Sequence, residues 1–322
     1  MAPAHRRERS VAVAIAALAA VLAVARPAYF SPENLVDLLL SNLGVMTTAI
    51  GTTLVILTGE IDISVGSVFA ICSVVAGVAA VHGAPVAVSA LAACAAGAAL
   101  GLLNGLLVAA AGIPSIVVTL ATMIALRDAL RWATQGEWVA GLPDGFQWLG
   151  LTQRSYPMAA TIVVSLLACA AWWMLGYTFP GRAIHAVGSN ADAARLAGIR
   201  TSRVTCAVFV AGGLLTGIGA VLNAVRFHQI PSNGGIGLEM KVVAAVVVGG
   251  AAVTGGRGTI AGTALGVVLL GAIGPALTFL GVSAYWERAL QGAIILAAVG
   301  GDAIRAARHA AIAAAAQPAA QV

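Results

Sequence analysis

The residues able to do chemistry in this chain are few, and their spacing narrows what they can do. Glu60 and Asp62 stand two apart in GEIDISVGS (59–67). Glu239 and Lys241 stand two apart in LEMKVV, too close in sequence to face one another on a helix. Four arginines, Arg182, Arg195, Arg200 and Arg203, crowd into FPGRAIHAVGSNADAARLAGIRTSR (179–203). A phosphate-binding loop of the form G-x-x-x-x-G-K-[ST] needs its lysine on the phosphates. The single lysine, Lys241, is followed by Val242 and Val243, which excludes nucleotide binding by that route. Cys72, Cys94, Cys169 and Cys206 are isolated, without C-x-x-C spacing, and read as small buried apolar residues. No His/Cys/carboxylate grouping suits a metal, and no Ser-His-Asp arrangement can be argued.

These residues must be positioned by apolar elements. Of 322 residues, 60% are hydrophobic and 9% charged, with mean hydropathy +0.98. A soluble domain carries roughly 25% charged residues. Runs of about 20 apolar residues cross a hydrocarbon core of about 30 Å. Lipid leaves backbone amides no outside partner, so long unalternating runs must be helices. The expected fold is an all-α membrane protein, a polytopic bundle of about ten transmembrane helices. Spans are expected near 10–25, 43–58, 63–82, 84–110, 112–126, 158–178, 204–224, 240–254, 259–282 and 286–301. The first follows the basic MAPAHRRERS and resembles a signal peptide. Arg26-Pro27 follows it without a small-x-small cleavage site, so a retained span is expected.

Charge sets the orientation. With a cytoplasmic N-terminus, the inside segments hold ten of the seventeen basic residues and five of the twelve acids. That excess is the positive-inside arrangement, giving N-in and C-in. The expected division is a basic cytoplasmic N-terminus (1–9), a transmembrane domain (10–303) and an Ala-rich cytoplasmic tail (304–322). Within the domain, 127–157 is an external loop with three tryptophans, Phe146 and Tyr156, suited to the outer interface. Residues 179–203 form the largest internal cytoplasmic loop. There NADAARLAG carries helix punctuation: Asn190 can cap the start, Asp192 complements the dipole, and Gly198 can close the end. About seven helical residues cannot span a bilayer, but can lie on its face and fit a groove on a partner. A solvated positive-inside loop is the plainer alternative.

Charges at bilayer depth are costly and mark function. Few lie deep here. Glu60, Asp62 and Gly66 are expected at a gate or helix break, with simple capping of the 63–82 helix by Asp62 and Ser64 as the alternative. A path almost free of fixed charge suits a neutral polar solute. Candidate pathway residues are Asn104, Thr119, Ser73 and Asn223, with Thr122 beside them. Asn104 is the sharpest, because a mid-helix amide needs a partner; interhelical hydrogen bonding is the competing role. Gly97, Gly101 and Gly105, at four-residue spacing, predict close helix packing.

Four stretches carry a resemblance. GRAIHAVGSNADAARLAGI resembles the coupling loop of bacterial ABC importer permeases of the ribose-type monosaccharide branch, related to the branched-chain amino-acid permeases. GEIDISVGS is similar to that family's G-x-I-D-L-S-V-G signature. GLLNGLLVAAAGIPSIVVTLATM (101–123) resembles its Asn-Gly helix and the Pro-initiated helix after it. GIGLEMKVVAAVVVGGAAVTGGRGTIAGTALG (235–266) resembles its glycine-rich late region. The four run in family order across about residues 30–300; Glu60 departs from the pattern, where Gly is commoner. The resemblance implies a bacterial inner-membrane permease. Its short cytoplasmic helix would dock on a separate ATP-binding subunit through Asn190, Ala194, Arg195 and Gly198. It also implies a periplasmic solute-binding protein outside, a second permease copy or paralogue, and contact with lipid. ATP and Mg would sit on the partner ATPase, with no cofactor in this chain and no nucleic acid among its partners. SPENLVDLL and ATMIALRDALRWATQGEW look most like permeases for deoxyhexoses such as rhamnose; ribose, other pentoses and autoinducer 2 stay open. Two other classes compete. A gradient-driven transporter would want acids in broken helices, and an intramembrane enzyme would want clustered titratable groups.

Overall fold

The computed structural model describes residues 2–283, 285–294, 296, 297 and 300, with side chains from residue 7 onward. Among the described residues it is helical throughout. The helices are α1 (Ala2–Ala25), α2 (Pro32–Leu57), α3 (Val65–Val81), α4 (Val86–Ala109), α5 (Ser115–Thr134), α6 (Tyr156–Tyr177), α7 (Phe179–Ser189), α8 (Ala191–Leu196), α9 (Thr201–Ala224), α10 (Leu238–Val248) and α11 (Ile260–Phe279). A further helical stretch covers 286–294. The expected tail 304–322, Arg305, Arg308 and the end of the last span lie outside the described residues.

Six of these helices are long and apolar enough to cross a membrane: 7–25, 32–57, 86–109, 156–177, 201–224 and 260–279. The expected span near 63–82 is the shorter α3, whose 17 residues rise about 26 Å. The span expected near 240–254 is corrected to α10, 11 residues rising about 17 Å, which is half a crossing. Glycines at 249, 250, 255 and 256 end it where hydropathy alone would have carried it on. The span near 112–126 extends as α5 to Thr134, so only 135–155 of the expected external segment is loop. The cytoplasmic loop expected over 179–203 is corrected to two helices. α7 opens on Pro180 with Thr178 capping it, and it buries Gly181, Ala183, Ile184 and Val187 against the bundle.

α2 is the central helix, with 78% of its apolar window buried. Three of its interior threonines turn their hydroxyls back to the carbonyls four residues earlier. Thr47 donates to Leu43 O at 2.9 Å, Thr48 to Gly44 O at 3.0 Å and Thr53 to Ala49 O at 2.7 Å. These three hydroxyls are thereby satisfied inside the core, whereas Thr52 Oγ1, also buried on α2, has no partner. α9 packs on α2 and α4 through glycine. A Cβ on Gly44 would lie 2.8 Å from Gly219 O, and one on Gly51 would lie 2.8 Å from the Gly212 Cα. On the other flank, a Cβ on Gly97 or Gly101 would overlap the Gly213 or Phe209 carbonyl, and Gly105 abuts Cys206. The four-residue glycine spacing thus places backbone on backbone, as small-residue seams do in lipid.

Two faces follow from the connections. Thr259 Oγ1 donates to Glu8 Oε1 at 2.7 Å, Gly256 N donates to Leu57 O at 2.9 Å, and His185 Nδ1 lies 3.0 Å from Gly256 O. Residues 2–9, 57–64, 178–200 and 249–259 therefore share one end of the bundle. At the other end, Val139 pairs with Ile230, Trp148 N donates to Val225 O at 2.8 Å, and Arg26 Nε donates to Phe279 O at 2.9 Å. The arginines of 7–9, 182–203 and 257 all belong to the first end, here the basic face.

Candidate functional site

The break between α2 and α3 holds the GEIDIS residues. α2 ends as Thr58 Oγ1 turns back to Val55 O at 2.7 Å, and 58–64 then runs without helix. Two residues of α5 pin it. Ile61 N donates to Ser115 Oγ at 3.1 Å, and Thr119 Oγ1 donates to Ile61 O at 3.2 Å. Asp62 is 5% exposed; its Oδ1 accepts from Ser64 N at 2.8 Å and Ser64 Oγ at 2.6 Å, at the start of α3. Asn104 Nδ2 on α4 donates to the same Ser64 Oγ at 2.8 Å. The carboxylate thus anchors a buried Asp62–Ser64–Asn104 chain that fixes the angle at which α3 leaves the break. Glu60 is half-buried at its edge.

Gly66, one residue into α3, is where the returning 235–239 segment presses closest. A Cβ there would overlap the Glu239 carboxylate and lie 2.6 Å from Gly235 O. Glu239 is buried, takes Arg127 Nη2 of α5 at 3.5 Å, and leaves Oε2 without a partner. Gly66 therefore marks a close approach between broken helices.

A cavity of about 790 Å³ lies between α2, α3, the end of α9, 235–241 and the 286–294 helix. Asn223 lines it, with Ser41, Phe69 and Gln291. Of the expected pathway residues it holds Asn223 alone. Asn104 and Thr119 belong to the pinned break, and Ser73 is buried on α3 outside the cavity lining. Lys241, Glu287 and Arg288 also line this cavity. Each charge sits at the start of a helix, and only the return of 235–241 beside 286–294 brings the three together.

On the basic face, α8 is six residues long. Asn190 Oδ1 accepts from Ala193 N at 2.9 Å, Asp192 pairs with Arg195, and Gly198 closes the helix at φ +85°. Asn190, Arg195 and Gly198 are exposed. Ala194 is 4% exposed and packs inward, so as a partner contact it is corrected: a helix this short can turn only part of its surface outward. Sequence reasoning missed Leu196, 91% exposed on the same helix. A single leucine beside Arg195 in a segment otherwise made of small and charged residues was the available signal.

A second cleft, of about 410 Å³, opens at the end opposite the basic face. Asp37, Trp148 and Arg226 line it, and sequence reasoning singled out none of them as a site.

Comparison with known proteins places this architecture. The model of the family described as branched-chain amino acid transport system, permease component, matches residues 34–299. The chain is 37% identical over 295 residues to the autoinducer 2 import system permease protein LsrC of Enterobacter sp. (strain 638), covering 90% of this chain and 84% of that one. It is 36% identical to the LsrC protein of Yersinia pseudotuberculosis over 91% of this chain and 83% of that one. To the LsrC protein of Photorhabdus laumondii it is 34% identical, over 91% and 88%. No solved structure matches. With the break, the glycine seams and the apolar helices from α3 to α11 inside the matched region, the chain belongs to the permease-component family of branched-chain amino acid transport systems and is a multi-pass protein of the bacterial inner membrane.

Proposed function

We propose that the chain is the transmembrane permease subunit of an ATP-driven importer for a neutral, hydroxyl-rich, sugar-like solute. The observation that carries this reading is α8: a helix capped at both ends, standing on the basic face, with Leu196 almost fully exposed beside Asn190 and Arg195. A short capped helix that presents Leu196 beside Asn190 and Arg195 on this face is suited to fit a groove on a partner chain. The partner is an ATPase carrying ATP and Mg, and α8 transmits its closure. The basic face is cytoplasmic by the positive-inside rule, the opposite end receives a solute-loaded binding protein, and a second permease copy encloses the path.

The relatives reported above are all named for autoinducer 2 and none for rhamnose or a pentose. That moves autoinducer 2 to the front as solute, and the deoxyhexose reading drawn from short motifs loses its support. A gradient-driven transporter remains the second reading, favoured by Lys241, Glu287 and Arg288 in the inner cavity. The test is uptake of labelled autoinducer 2, rhamnose and ribose by cells carrying this gene with an ATPase and a binding protein. Uptake of autoinducer 2 that stops when the ATPase is inactivated is expected. Uptake that survives ATPase inactivation and stops with a protonophore would establish the second reading instead.

A further inference from the structure

The cleft opposite the basic face is built like a site. Arg226 lies two residues past the end of α9, and its side chain is only 8% exposed. Its Nη2 donates to Asp37 Oδ1 at 2.6 Å and its Nη1 to Ser41 Oγ at 3.3 Å, while Nε is buried without a partner. A buried guanidinium with one N–H unsatisfied is costly unless something else accepts from it. Asp37 keeps its side chain 72% exposed at the cleft, with Glu33 one turn earlier on α2.

The opposite wall is Trp148. It is held at φ +55° and its neighbour Leu149 at φ +59°, a backbone conformation that bulky residues rarely adopt. Such strain persists only where surroundings enforce it. Here the Trp148 N–H is tied to Val225 O, and the ring meets Tyr156 edge-on at 5.3 Å, whose hydroxyl in turn donates to Leu222 O at 2.5 Å. The indole is thus fixed beside a carboxylate–guanidinium pair. An aromatic plane offers an apolar face to the C–H side of a polyol, and the ion pair offers donors and acceptors to its hydroxyls. Two acids in the cleft oppose a phosphate or other anion.

The cleft borders the inner cavity. Ser41, one turn below Asp37 on α2, contacts Arg226 and lines the inner cavity, as does Asn223, three residues before Arg226. We propose that this cleft is a receiving subsite for the neutral, hydroxyl-rich solute, read by Asp37 and Arg226 over the Trp148 ring and opening inward past Ser41. The proposal rests on the importer reading for its solute class.

The test titrates the detergent-purified permease–ATPase complex, without binding protein, with autoinducer 2, ribose and rhamnose in turn. Tryptophan emission is read as the difference between the protein and its Trp148→Phe variant. A saturable change with one solute is expected, with its half-saturating concentration raised about tenfold in Asp37→Asn, the loss of one charge-assisted hydrogen bond. Arg226→Lys, which keeps the charge, retains binding weaker than wild type and stronger than Arg226→Gln. Absence of any saturable change, in a complex that still imports in proteoliposomes with binding protein, overturns the subsite and leaves the importer standing. So does an Asp37→Asn variant that weakens binding-protein affinity while solute titrations are unchanged, since the cleft is then a protein contact. A complex that imports none of the solutes under any arrangement overturns the importer reading, and this proposal with it.

Discussion

Gly188 on α7 touches the last carbonyl of α2: a Cβ added there would overlap Leu57 O and lie 2.6 Å from Gly256 N. Gly256 N itself donates to that carbonyl at 2.9 Å, so α7, the end of α2 and the 249–259 loop meet at one point. α8 is joined to this point through Ser189 and Asn190, and the GEIDIS break begins on its other side.

Gly188→Ala should therefore cost more than an alanine usually does. Overpacking costs about 1–3 kcal/mol, and here the atoms that must yield are backbone. Stability is expected to fall within that range, and uptake with it. Transport and ATP hydrolysis measured together check it; equal uptake in the variant would remove the contact from the transmission path.

Asn104→Leu removes a donor to the buried Ser64 hydroxyl rather than a wall of the inner cavity. Stability should drop by about 1–3 kcal/mol, seen as a lower unfolding temperature in detergent. Preference among solutes should not change. A changed preference with unchanged melting would return Asn104 to the pathway.

Gly198 stands at φ +85°, where a side chain is strained by about 1 kcal/mol. Gly198→Ala should weaken coupling modestly. Gly198→Pro should leave the protein in the membrane while separating ATP hydrolysis from uptake. Leu196→Asp should lower the affinity for the ATPase, read by co-purification under increasing salt.

Glu239 is buried and Arg127 is its ion-pair partner across from α5. Arg127→Ala leaves that carboxylate uncompensated and should cost about 3 kcal/mol, since breaking a buried pair is the expensive operation. Arg127→Lys should recover much of it. Thermal unfolding of the two variants side by side decides.

How much of this was legible in the sequence depended on the range of the forces involved. The punctuation of α8 was readable because Asn190 and Gly198 act through hydrogen bonds three and four residues away. The glycine seam on α4 was readable because its period is helical. α10 was not, because an apolar run does not reveal that Gly235 and Glu239 are held against Gly66 in mid-bundle. Nor was the inward face of Ala194, which depends on what packs behind a two-turn helix. The charges of the inner cavity escaped for the same reason: Lys241 and Glu287 are 46 positions apart and meet only through tertiary packing.

The glycine seams that seat α9 on α2 and α4 bring backbone against backbone at Gly44–Gly219, Gly51–Gly212 and Gly97–Gly213. At those points few side-chain rotamers stand between the helices to take up a displacement. Its first turn begins three residues beyond Gly198, and its 24 residues carry it about 36 Å to Asn223 and Arg226. α9 would then act as a pushrod, its first turn beside the proposed ATPase contact and its far end walling both cavities through Asn223 and Arg226.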